Sequence, residues 1–161
     1  MHIALLNPEI PGNTGSIGRL CVGTDTPLHL VGQLGFSIDA AAVRRAGLDY
    51  WKHVQLRRHA DLDALLEATD GQRVFAFSKR GAKRYDHVDW RPDDVLLFGP
   101  ESTGFSAETL ARFAERTVFI PTQPAIRSLN LATAASIALF EALRQQDFAG
   151  IEHDHAADGP R

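Results

Sequence analysis

At 161 residues, 44% hydrophobic and 23% charged, the chain has the size and balance of one globular domain, able to bury about two thirds of its unfolded surface without staples. A formal net charge of −3 removes the field of the whole molecule as a source of nucleic-acid affinity, so any such binding must come from local basic clusters. No run of about 18 apolar residues exists to span a membrane, and the lone Cys21 excludes an internal disulfide. The chain opens at once on Ile3-Ala4-Leu5-Leu6 with no basic leader, so a cytoplasmic protein is expected.

In chain order, Ile3–Leu6 reads as a buried strand, followed by a Pro/Gly/Asn loop and a helix from about Thr14 to Val22. Leu28–Val31 is a second strand and Val54–Leu56 a short third. Leu62, Leu65 and Leu66 share one face of a helix over Asp61–Thr69. Arg73–Phe77, Val95–Phe98 and Thr117–Ile120 are further strands, each closed by polar or Gly/Pro residues. Ser106 suits an N-cap, with Glu108 in the first turn of a helix to about Phe113. The last helix runs from about Asn130 to Gln146. Strands alternating with helices predict an α/β fold with a mostly parallel sheet covered on both faces. One domain is expected over 1–148, with a disordered tail over 149–161, where His153 and His155 lack a carboxylate or thiol at metal-ligand spacing; no metal is expected.

From Leu129 to Leu143 the polar residues Asn130, Thr133, Ser136 and Glu141 are spread around the helical wheel. A surface helix keeps one continuous polar face. This one is expected to be covered by its own sheet and by a second subunit, which makes the protein a homodimer. Cys21 reads as a buried helix residue.

Three blocks carry chemistry. The first, Asn7-Pro8-Glu9-Ile10-Pro11-Gly12-Asn13-Thr14-Gly15-Ser16-Ile17-Gly18-Arg19, places a glycine-bearing loop and a helix start after a strand, an arrangement that binds anions. Here Asn13 is either a helix cap or a site residue. A dinucleotide fold is the obvious rival. However, glycines 12, 15 and 18 have the wrong spacing, and the second strand ends in Val31-Gly32-Gln33 without the acid that holds a ribose. The second block, Phe98-Gly99-Pro100-Glu101-Ser102-Thr103-Gly104, leaves backbone groups exposed at the carboxyl edge of the sheet, where Glu101 is a base, an orienting acceptor or a loop charge. In the third, Ile120-Pro121 leads through Arg127-Ser128-Leu129-Asn130 into the apolar helix, which Asn130 can cap.

Together and in this order the blocks closely resemble the three motifs of the SPOUT methyltransferases, in particular the branch that methylates ribose 2′-hydroxyls. The segment Arg44-Arg45-Ala46-Gly47-Leu48-Asp49-Tyr50-Trp51, after Leu34-Gly35-Phe36, is similar to that of the short enzymes acting on the wobble nucleotide of tRNA. The likeness covers residues 2 to 146. It implies a C-terminal trefoil knot made from the second and third blocks, and S-adenosylmethionine bound by main-chain groups at Phe77, Gly99, Ile120, Ser128 and Leu129. The implied partner is the anticodon loop of tRNA. Carried over by position, Arg19 would act on the ribose hydroxyl, with Asn13, Glu101, Ser128 and Asn130 orienting the sugar or ordering the loops. A guanidinium stays protonated in proteins, so Arg19 is either a base with a strongly perturbed side chain or a group that stabilises the developing alkoxide and grips phosphate. RNA contacts are expected from Lys79, Arg80, Lys83 and Arg84 with Tyr85 for stacking, and from Arg44, Arg45, Lys52, Arg57 and Arg58. A non-catalytic RNA-binding protein of the same fold is the alternative, which the presence of Arg19, Glu101, Ser128 and Asn130 opposes.

Overall fold

A computed structural model describes residues 1–38 and 48–151. Its strands are β1 (His2–Leu6), β2 (Leu28–Val31), β3 (Leu56–His59), β4 (Val74–Phe77), β5 (Lys83–Arg84), β6 (Val95–Phe98) and β7 (Thr117–Phe119). The α-helices are α1 (Pro11–Gly23), α2 (Leu62–Ala68), α3 (Ala107–Arg112) and α4 (Leu131–Gln145). The strands form one parallel sheet in the order β3-β2-β1-β6-β4-β7-β5. The expected α/β architecture is present. Arg44, Arg45, His153 and His155 lie outside the described residues, as does the expected tail from residue 152 onward; Ile151 packs against the core.

Period-two alternation divides the strands between two hydrophobic layers. Ile3, Leu5, Leu28, Leu30, Leu96 and Phe98 face α1 and α4, whereas Ala4, Val31, Val95 and Leu97 face Leu65 of α2 and Phe113 at the end of α3. Burial on both faces explains why these strands read as unbroken apolar runs. At the amino edge, Asp94 is buried and accepts hydrogen bonds from Arg73 Nε (2.7 Å), Arg73 Nη2 (2.6 Å) and the Arg91 N–H (2.8 Å), so β4 and β6 start in register. At the carboxyl edge, Phe98 is level with both Leu5 and Phe77, and Phe77 with Val118. The loops after β1, β4, β6 and β7 therefore leave the sheet at one height.

Element boundaries differ from expectation in instructive places. Helix α1 starts at Pro11, not Thr14, because a proline at the first helical position loses no hydrogen bond. Strand β3 lies at Leu56–His59 rather than Val54–Leu56, and its exposed Arg57 and Arg58 are the charges that protect a sheet edge from pairing with another chain. The two-residue β5 was too short and too basic for any pattern to reveal. Ser106 does cap α3, accepting from the Thr109 N–H (3.0 Å). Cys21 is buried in α1, and burial pushes its thiol up to about 12.

A histidine ladder crosses β1, β2 and β3. His2 Nδ1 lies 2.9 Å from His29 Nε2, and His29 Nδ1 lies 2.9 Å from His59 Nε2. The His29 ring is wholly buried, and burial, reinforced by His2, His59 and Arg57, pushes its pKa down to about 3. A folded-state value below the unfolded 6.5 means that the stabilising contribution is complete above pH 6.5 and lost as pH falls from 6.5 toward 3. Urea titrations are expected to show roughly 2 kcal/mol less stability at pH 5 than at pH 7.5, with a shallower slope in His29→Gln. A pH-independent midpoint over that window contradicts the assignment.

Candidate active site

The strand-end loops enclose a cavity of about 590 Å³, within the range of small-molecule sites. The rings of Phe77 and Phe98, stacked with centroids 4.7 Å apart, contribute its apolar surface. Leu131 and Ala134 of α4, Ile120 and Leu129 add to it, while Ser78, Lys79, Arg80, Thr122 and Arg127 supply polar groups. A Cβ added at Gly99 would lie 3.1 Å from the Gly104 carbonyl carbon and from the Phe105 backbone nitrogen, so glycine lets the loop 99–105 fold back on itself at the cavity wall.

Hydrogen bonds join the three sequence blocks at the cavity rim. Glu101 Oε2 accepts from the Glu9 N–H (2.8 Å), and Oε1 accepts from the Ile10 N–H (3.2 Å) and Asn13 Nδ2 (3.0 Å). Ile10 stands at the N-cap of α1 and has no oxygen to offer, so a carboxylate from another loop satisfies the donors at the helix entrance. Glu9 answers in the opposite direction, accepting from the Ser102 N–H (2.8 Å) and Ser102 Oγ (2.7 Å). These two bonds hold its carboxyl below the usual glutamate value. Asn13 Oδ1 then accepts from Asn130 Nδ2 (2.9 Å), while Asn130 Oδ1 caps α4 through the Ala132 and Thr133 N–H groups. Arg127 donates to the Ser102 carbonyl and Lys79 Nζ to the Ile126 carbonyl (3.0 Å), tying down the loop 120–130.

Two readings are corrected or narrowed by this geometry. Asn13 is not a helix cap: α1 begins two residues earlier, and its side chain bridges Glu101 and Asn130 instead. Of the roles open to Glu101, the geometry is that of an orienting acceptor, since three donors occupy its two oxygens. Asn130 is a cap and a bridge at once.

Asn13, Phe77, Gly99, Glu101, Ile120, Ser128, Leu129 and Asn130 all line the one cavity. Arg19 does not. It is exposed on α1, six residues past Asn13 and so about 9 Å along the axis and turned by roughly 120°. Its guanidinium lies over the Tyr50 ring, 4.5 Å from the centroid. Lys79 and Arg80 reach the cavity, whereas Lys83 and Arg84 lie on β5 and Arg84 is held by Asp86 (2.6 Å). Tyr85 is half-buried beside them, Arg57 and Arg58 are exposed on β3 at the opposite end of the sheet, and Lys52 is exposed on the turn Asp49–His53. The pattern reading gave no role to Glu9, Ser102, Arg127 or Tyr50. Each acts through contacts between segments distant in sequence, which no spacing rule records. Among the described residues no three His, Cys, Asp or Glu side chains group as a metal site.

The model of the SpoU rRNA methylase family matches residues 1–140. The chain belongs to that family. It is 45% identical over 152 residues to a tRNA (cytidine(34)-2′-O)-methyltransferase of Burkholderia pseudomallei, covering 92% of this chain and 97% of that one. A solved structure described as structural insights into the 2-OH methylation of C/U34 on tRNA is 48% identical, with a TM-score of 0.84 over 91% of this chain and 95% of the other. An AdoMet-bound rRNA methyltransferase from Sinorhizobium meliloti is 30% identical, with a TM-score of 0.74 over 89% of this chain and 55% of its own. The cavity fits that adenosyl donor. It offers an aromatic and aliphatic lining for a base, and strand-end loops whose main-chain groups can meet polar atoms.

Removing the Glu101 carboxylate strands the donors at the α1 entrance. Glu101→Ala is expected to cost about 1–3 kcal/mol in urea unfolding and to weaken donor binding measured by calorimetry. Glu101→Gln is expected to fall between, since it keeps acceptor capacity. Parent-like stability and affinity in the alanine variant would show the bridge to be idle.

Proposed function

We propose that this chain transfers the methyl group of S-adenosylmethionine to the 2′-hydroxyl of a ribose in tRNA, and that the acceptor is the wobble nucleotide, a cytidine or modified uridine. One observation carries the reading: candidate residues from all three blocks, Arg19 excepted, converge on one cavity at the strand ends, in a chain whose relatives bear that activity in their names. When bound, the donor would supply an electrophilic methyl carbon on a sulfonium and depart as a neutral thioether, and the hydroxyl proton would pass to water. The chain itself then need only position the acceptor and stabilise its oxygen.

Main-chain groups at Phe77, Gly99, Ile120, Ser128 and Leu129 would hold the donor, with the Phe77 side chain offering an apolar surface to its base. Asn13, Glu101 and Asn130 keep the loops in the shape that receives the sugar. Arg19 stabilises charge developing on the 2′-oxygen and grips a neighbouring phosphate, for which the planar guanidinium fork is suited. Lys79 and Arg80 at the cavity extend the phosphate-binding surface. The knot belongs to the same proposal, and the bonds tying 120–130 to Lys79 and Ser102 are what support it.

The working unit in this proposal is a cytoplasmic homodimer. Three observations support two chains. Arg19 does not line the cavity of its own chain. Phe140 on α4 and Phe148 just beyond it are exposed, 48% and 40%, and their rings touch each other. The basic residues on β3 and on β5 lie at opposite ends of a seven-stranded sheet, about 29 Å apart at the usual strand spacing, so one chain does not present both to a single loop of RNA.

Mass spectrometry of tRNA nucleosides after incubation with enzyme and labelled donor is expected to show one 2′-O-methylated nucleoside at the wobble position. Arg19→Ala is expected to abolish the product while donor binding persists in calorimetry. A label elsewhere in tRNA or in rRNA moves the acceptor. Absence of product with RNA still bound supports the non-catalytic alternative, and unchanged turnover in Arg19→Ala removes Arg19 from the mechanism. Sedimentation is expected to give twice the 17.7 kDa of the chain.

A further inference from the structure

We propose that Tyr50 is a positioning residue for the methyl transfer: it holds the Arg19 side chain in one pose before the RNA arrives. This rests on the methyl-transfer reading above. Tyr50 lies in a 3₁₀ turn, Asp49–His53, that is seated on the glycine face of α1. A Cβ at Gly18 would come within 2.5 Å of Trp51 Cζ3, and Gly15 faces Leu48 and the Tyr50 hydroxyl. Those two glycines thus have a packing reason. They let the turn approach the helix closely enough for Tyr50 to reach its backbone.

The ring is fixed at both ends. Its hydroxyl donates to the Gly15 carbonyl (2.8 Å), the same carbonyl that α-helical pairing offers to the Arg19 N–H. Its own backbone N–H donates to Asp49 Oδ1 (2.9 Å). Over the half-buried ring so anchored, the Arg19 guanidinium sits 4.5 Å from the centroid. Among the described residues, no carboxylate pairs with Arg19, so the stack is the contact that orients it. The guanidinium carbon stands above the tyrosine ring on a side chain that is otherwise exposed, so it can still meet an oxyanion.

The physical consequence follows from entropy. A free arginine side chain samples many rotamers, and ordering it on binding costs conformational entropy. A cation–π stack draws the side chain into one pose in advance and leaves its charge intact. An ion pair with a carboxylate would also hold it, but would neutralise the group that the developing alkoxide needs. Tyrosine holds the arginine without answering its charge.

Three variants and one spectroscopic readout test this. Tyr50→Phe keeps the ring and is expected to retain at least half of the parent kcat. Tyr50→Leu keeps apolar bulk but removes the ring face, and is expected to lower kcat about tenfold, the order of losing a cation–π pair, with donor affinity unchanged. In an Arg19→Lys background, where the planar fork is already gone, Tyr50→Leu is expected to change kcat by less than twofold. NMR of the Arg19 side-chain Nε–H is expected to show a ring-current shift in the parent and in Tyr50→Phe that disappears in Tyr50→Leu. This measurement needs no turnover.

A Tyr50→Leu kcat within twofold of the parent, an equal fractional loss in the Arg19→Lys background, or an unshifted Arg19 resonance in the parent overturns the inference while the methyl-transfer reading stands. Should Tyr50→Leu unfold, the Tyr50→Phe rate and the parent resonance decide it. A parent that methylates no tRNA sinks the methyl-transfer reading, and the positioning role falls with it, even where the resonance shows the stack.

Discussion

The site depends on where the Glu101 carboxylate is placed. Three donors from the β1–α1 segment converge on it, and Glu9 returns two bonds to the Ser102 that follows Glu101. Because both partners in this exchange lie on loops, neither loop has its shape without the other. Asn13 carries the link on to Asn130, which is also the cap that starts α4. The helix entrance, the cavity wall and the final helix are therefore one hydrogen-bonded assembly. Bonds to charged acceptors are stronger than neutral ones and shorter, which suits them to fixing loops that would otherwise move.

The sheet makes that assembly possible. Its parallel register brings the ends of β1, β4 and β6 level, with Phe98 beside both Leu5 and Phe77, and β7 ends nearby through Phe77 and Val118. Four loops meet at one edge as a result, where open parallel sheets bind ligands. The pair of half-buried Arg73 with buried Asp94 sets the same register from the opposite edge. The charge of −3 leaves local cations as the source of any attraction to RNA, and Lys79, Arg80 and Arg127 line the cavity while Arg19 stands on the helix outside it.

Much of this was legible in the chain itself. Apolar runs gave the central strands to within a residue, since residues buried on two faces must be apolar throughout. Ser106 and Asn130 announced their helices because a capping oxygen has to be near in sequence to the N–H groups it serves. What stayed hidden has the opposite character. Arg57 and Arg58 disguised an edge strand, as edge protection requires, and β5 has only two residues to read. A cap stayed open as one role for Asn13 because the local rule for asparagine before a helix does not know that Pro11 has already begun it. The part of Glu9 could not be seen, since its partner Ser102 is 93 positions away.

By itself, then, the sequence determined the α/β class, the parallel sheet, the ordered motifs that name the family and several of the residues that line the cavity, because each of these follows from local periodicity or from a recurring block. Only the tertiary structure decided how those residues are used. It made Asn13 and Glu101, each open to more than one role, into bridges between loops, left Arg19 outside its own cavity, and set Tyr50 beneath it. Those outcomes depend on side chains meeting across long stretches of chain, and such meetings are fixed by the register of the sheet and the packing of α1, which no one-dimensional pattern encodes.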